Sequence, residues 1–110
     1  MWAGKDNGKD MSWKKAMKYC RDLRLAGFSD WRLPTIDELQ GVRDKDGYYG
    51  IKGHIVLTGG DQWSSSRVND DRGRPSGYAW YFIFSLQQRI DEPLGYFNSK
   101  RALCVRRAAE

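Results

Sequence analysis

Cys20 and Cys104 stand near opposite ends of a chain of 110 residues, and no other pair in it carries as much chemical consequence. An even cysteine count with one residue near each end suggests a covalent clasp. A closed loop of about 85 residues would contribute roughly 4 kcal/mol in the chain-entropy model. The alternative is a pair of buried free thiols in a cytosolic protein. Zinc is not expected. Two distant cysteines and the single histidine, His54, fall short of a tetrahedral ligand set.

Catalytic groupings are equally sparse. Acyl transfer needs a nucleophile with a base beside it. His54 lies in a Gly-rich stretch with no Ser or Cys adjacent, and reads as a loop or surface residue. Asp91 and Glu92 are neighbouring carboxylates. In a strand they would point to opposite faces, which argues against a paired acid/base role. Asn69, Asp70, Asp71, Asp91 and Glu92 supply oxygens of the kind calcium takes. Asn69-Asp70 and Glu92-Pro93 each half-resemble the sugar-binding motifs of calcium-dependent lectins, but in reversed order and incomplete. No phosphate-cradling Gly motif occurs. The reading is a non-enzymatic chain with no cofactor and no metal.

Recognition chemistry is better represented. The chain has five Trp, six Tyr and four Phe, and a net charge of +5. Trp and Tyr combine a large apolar body with a polar tip, and long basic side chains favour acidic partners. The cations are spread over both ends and do not form one run, so a solvated basic face is the plainer interpretation. Nucleic acid is not expected, since no recognised nucleic-acid motif accompanies the charge. The candidate ligand-binding set is Arg67, Tyr78, Tyr81, Arg89, Tyr96, Asn98 and Lys100, in the late strands and loops. Binding surfaces favour Tyr and Arg for their flat rings and adaptable donors.

These residues need a scaffold. The length fits one domain covering 1–110 with a modest core. Residues 1–9 read as a short strand and a turn at Asp6-Asn7-Gly8-Lys9. Residues 12–25 form the clearest helix: Trp13, Ala16, Met17, Cys20 and Leu23 recur on one face, Ser12 is placed to cap it, and Gly27 to end it. Thr35-Ile36-Asp37-Glu38 is a capping box opening a short helix to about Val42, with Ile36, Leu39 and Val42 inward. Strands follow at 62–66, 78–85 and 101–107, separated by a polar loop over 68–77 and a long loop or hairpin over 86–100. Helices first and strands afterwards make an α+β pattern with an antiparallel sheet.

The same residues carry a resemblance. Trp13-x-x-Ala16-x-x-Tyr19-Cys20 is followed by Leu25-x-Gly27-x-x-Asp30-Trp31-Arg32-Leu33-Pro34-Thr35-x-x-Glu38-Leu39. Then come Trp63-Ser64-Ser65-Ser66, Ala79-Trp80 and Cys104-Val105-Arg106-Arg107. From about Trp2 to Arg107 the chain resembles the Lcl C-terminal domain family, found at the tip of a bacterial collagen-like adhesin. The resemblance implies a C-type lectin-like fold, with two helices, a twisted antiparallel sheet with long loops, and chain ends close together. It implies pairing of Cys20 with Cys104. It also implies a core role for Trp13, Trp31, Trp63 and Trp80. If the face of Trp80 is core, alternation leaves Tyr81 on the exposed side.

Two related branches bear on function. Formylglycine-generating enzymes share the Arg-Leu-Pro-Thr connector, but their chemistry needs two late cysteines, and here only Cys104 is late. Variable proteins of diversity-generating retroelements hold their binding residues in the sheet and loops before the closing strand. The expectation is therefore a ligand-recognition module acting outside the cell or at its surface, with the periplasm as an alternative. Its ligand would be a protein or a glycan, acidic or sulfated glycans included. No signal peptide and no membrane span are visible, so an exported chain would be a mature or excised piece.

Overall fold

The computed structural model describes residues 2–43, 55–84, 86–94 and 100–106. The readings placed on His54, Tyr96 and Asn98 lie outside the described residues. The described residues form an α+β fold with helices α1 (Trp13–Asp22) and α2 (Ile36–Gly41). Four strands follow: β1 (Asp61–Asn69), β2 (Pro75–Ile83), β3 (Gln88–Pro93) and β4 (Lys100–Arg101).

The helix α1 buries Trp13, Ala16 and Cys20, the face read from helical spacing. Ser12 stands at its N-cap without a side-chain hydrogen bond. The helix stops at Asp22, three residues short of the expected end, because Leu23 is already extended. Gly27 does adopt the left-handed conformation (φ +82°), but it does not terminate the helix. Together with Ala26 (φ +56°) it makes a two-residue turn, and Leu25 and Phe28 exchange both backbone hydrogen bonds across it. Two consecutive positive φ angles are the mark of a tight hairpin turn.

The capping box opening α2 is complete. The Thr35 hydroxyl accepts from the Glu38 amide at 3.2 Å, and the Glu38 carboxylate accepts from the Thr35 amide at 2.8 Å. Arg32 Nη1 and Nη2 also donate to that carboxylate, at 2.7 and 2.8 Å. Ile36 and Leu39 are buried.

The sheet runs in the order β3-β2-β1-β4. It is mixed, which corrects the antiparallel expectation: β1 pairs with β2 antiparallel but with β4 in parallel, through Asp61↔Lys100 and Gln62↔Arg101. The reason is topological. β2 and β3 intervene in the chain between β1 and β4, so no tight hairpin joins that pair and it can run parallel. The long loop expected over 68–77 is instead a hairpin end that extends β1 and β2. Asp70 closes it, its carboxylate accepting from the backbone N–H of Arg72 and of Arg74 at 2.9 Å each.

Two apolar clusters occupy the two faces of the sheet. One gathers Trp13, Ala16, Cys20, Trp31, Trp63, Ala79, Tyr81 and Cys104. The other gathers Ile36, Leu39, Leu57, Phe82, Phe84 and Leu103. The Cys20–Cys104 disulfide lies in the first, with Cα atoms 5.4 Å apart. Next to it the first and last described segments meet: Trp2 and Arg32 each bridge to Val105, and the Ala3 amide donates to the Cys104 carbonyl.

Candidate functional site

The candidate residues are positioned mostly by β1 and β2. Arg67 pairs with Ala79 across the strands, beyond a register shift in β1. That irregularity has a local cause: the Ser65 amide donates to the Pro34 carbonyl, and the Ser66 hydroxyl accepts from the Ile36 amide. β1 thus lends backbone bonds to the connector before α2, and bulges to do so. Arg67 is exposed, with its guanidinium carbon 5.5 Å from the Trp13 ring centre. It also donates to the Ser76 carbonyl at 2.6 Å. Tyr78, within β2, is 46% exposed. Arg72 and Arg74, in the intervening turn, are exposed as well. Arg67, Arg72, Arg74 and Tyr78 are therefore all exposed along the β1–β2 hairpin.

Tyr81 and Lys100 are elsewhere, and the expectation of an exposed Tyr81 is corrected. Tyr81 is 5% exposed, Lys100 3%. Alternation along β2 holds, but both faces of the strand are covered, one by α1 and the disulfide, the other by α2. Trp80, taken as core, is the partly exposed member. Lys100 places its ammonium 2.7 Å from the Glu92 carboxylate and 4.5 Å from the Tyr81 ring centre, with Trp63 at 5.6 Å. The Tyr81 hydroxyl donates to the other Glu92 oxygen at 2.9 Å. Burial, then the bond to Glu92, pushes the Tyr81 hydroxyl well above the usual phenol range. Burial likewise raises the Asp61 carboxyl; the Lys100 charge partly opposes this. Chemically this cluster holds strands β2, β3 and β4 together, and it does not present itself to a ligand.

Arg89 is a third case. It donates to Asp37 and Gln40 of α2, fastening β3 to the helix. Of the seven candidate residues, Arg67 and Tyr78 are thus the two left exposed on the β1–β2 hairpin, Arg67 on the face of Trp13 and Ala79. Arg72 and Arg74 join them, and sequence reading missed both by treating their segment as a plain loop. The Asp70-Asp71-Arg72-Gly73-Arg74 run held the signal, since Asp with Gly three residues on is turn chemistry.

The family model of the Lcl C-terminal domain matches residues 1–106. The chain belongs to the Lcl C-terminal domain family. No curated protein sequence matches it. In this Lcl C-terminal domain the cysteines of the family pattern form the disulfide, and Trp13, Trp31 and Trp63 are buried around it. Asp70 and Glu92, two of the oxygens weighed for calcium, are engaged in the hairpin turn and in the Lys100 cluster. Among the described residues no three His, Cys, Asp or Glu side chains converge as metal ligands do.

Proposed function

We propose that this Lcl C-terminal domain is a non-enzymatic ligand-recognition module of C-type lectin-like fold, acting outside the cell or at its surface. The observation that carries the reading is the β1–β2 hairpin. It projects Arg67, Arg72, Arg74 and the half-exposed Tyr78 from a scaffold clasped by a disulfide. The ligand class that suits it is an acidic or sulfated glycan, or an acidic face of a protein. Cations meet the anionic groups, and a tyrosine ring offers a flat apolar surface to a sugar.

The disulfide supports an oxidising compartment. No helix among the described residues is long and apolar enough to cross a membrane. The non-enzymatic reading is supported by the use made of the buried polar groups. Lys100 is ion-paired with Glu92, and Tyr81 donates to Glu92, so these groups are used to hold the strands together.

Retention of the oxidised chain on a heparin column, with its salt dependence, tests the reading. Salt-sensitive retention that falls in Arg72→Ala/Arg74→Ala and in Tyr78→Ala supports the hairpin as the site. Binding unchanged in both variants, or no binding to any array of acidic glycans and proteins, counts against it.

A further inference from the structure

A second surface lies on α1, away from the late strands, and its chemistry differs from that of the hairpin. Tyr19 and Leu23 together line two adjoining concavities, one of about 460 Å³ along the outer side of α1 and one of about 390 Å³ that continues past Leu25 to Ala3 and Cys104. Tyr19 is 37% exposed and Leu25 42%, large apolar groups left in water. Their positions follow from the fold. α1 turns Cys20 inward to the disulfide, which sends Tyr19 outward, and the tight turn at Ala26-Gly27 pins Leu25 by two backbone bonds to Phe28. The floor is therefore preorganised, so occupying it orders little chain.

The rim is basic. Lys15, Lys18, Arg24 and Lys5 border the groove, against Asp22 and Asp6. Asp6 is buried and faces inward: its carboxylate accepts from the Thr58 amide and hydroxyl, the Gly8 amide and the Gln62 side chain. Asp22 is bound by Lys18, which lowers its pKa. The groove thus has an apolar floor and a surplus of positive charge at its edge.

That combination discriminates between ligand classes. A glycan needs donors and acceptors matched to its hydroxyls, and unpaired polar groups cost affinity. Beside the single Tyr19 hydroxyl, the side chains of Ala3, Leu23, Leu25 and the bridged Cys104 supply none. An aliphatic or aromatic side chain fills such a floor, while carboxylates beside it reach the lysines. We infer that the α1 groove docks an acidic polypeptide segment carrying an apolar anchor residue. This site is independent of the hairpin surface, and either can exist without the other.

Random peptides displayed on phage, panned against the oxidised chain, test the inference. The expected result is enrichment of sequences with several Asp or Glu around one Leu, Ile, Phe or Trp. Synthetic copies should shift the NMR signals of Tyr19, Leu23 and Leu25. Replacing the anchor by Ser should weaken binding about tenfold or more, and Leu25→Ser or Lys15→Glu/Lys18→Glu in the protein should do the same. All three substitutions are at exposed positions, and unchanged circular dichroism with no free thiol confirms their folding. No enrichment, a consensus without acidic residues, equal binding by the anchorless peptide, or a heparin oligosaccharide displacing the peptide by shifting the same three residues would each overturn it.

Discussion

The Lys100 ammonium and the Glu92 carboxylate sit 2.7 Å apart with 4% and 25% of their side chains exposed. A charge this deeply enclosed is sensitive to the loss of an ion-pair partner. Glu92→Gln is expected to destabilise the domain by about 3 kcal/mol or more. The Lys100→Met/Glu92→Gln double variant should recover part of that loss. Urea unfolding of the two single variants and the double one measures it. Additive effects would mean that the pair is not coupled.

The disulfide spans 84 positions of sequence and lies inside one of the two apolar clusters. Cys20→Ala/Cys104→Ala is expected to lose about 4–5 kcal/mol through the freed entropy of the unfolded chain. For a domain this small, that is a large part of its stability. The check is denaturant unfolding of the variant beside the oxidised parent. A loss below about 1 kcal/mol would show that strand pairing and burial alone hold the ends.

Hydrogen bonds from Arg32, and then from the Thr35 amide, hold the Glu38 carboxyl down to about 2, from an ordinary value of 4.5. The folded value lies below the unfolded one, so the contribution is present above pH 4.5 and lost as pH falls toward 2. The pair is partly exposed, which limits the effect to about 1 kcal/mol or less. Glu38→Gln keeps a side chain able to complete the capping box but removes the charge. Its thermal midpoint should lie below that of the parent at neutral pH and converge with it in strong acid. Parallel curves across that range would refute the assignment.

Ala26 and Gly27 share the positive-φ turn, but only glycine does so without a steric cost. Gly27→Ala is expected to cost about 1 kcal/mol, and Ala26→Asn to stabilise by about 0.5 kcal/mol, since Asn tolerates the left-handed region. Thermal denaturation of both variants reads the opposite signs. The same direction of change in both would contradict the turn.

Much of the scaffold was legible in the residues themselves. The inward face of α1, the capping box before α2, the α+β order and the Cys20–Cys104 clasp follow from spacing, local hydrogen-bond chemistry and the family pattern. The exposure of the candidate site was not legible. Period-two alternation separates the residues of β2 into two sets, Ala79 and Tyr81 against Trp80 and Phe82. It does not say that α1 covers one set and α2 the other. Nor does it foresee that β4 crosses the sheet to bury Lys100 beside Glu92, or that Asp70 closes a hairpin end around Arg72.

The sequence by itself determined where the two helices open and which of their residues turn inward, because caps and apolar periods act over a few neighbours. Only the tertiary structure decided which tyrosines and cations reach solvent. Burial is set by residues far away in the chain: Lys100 meets Glu92 and Tyr81 only after the sheet has assembled, and Arg67 reaches the Ser76 carbonyl only once β1 and β2 have paired.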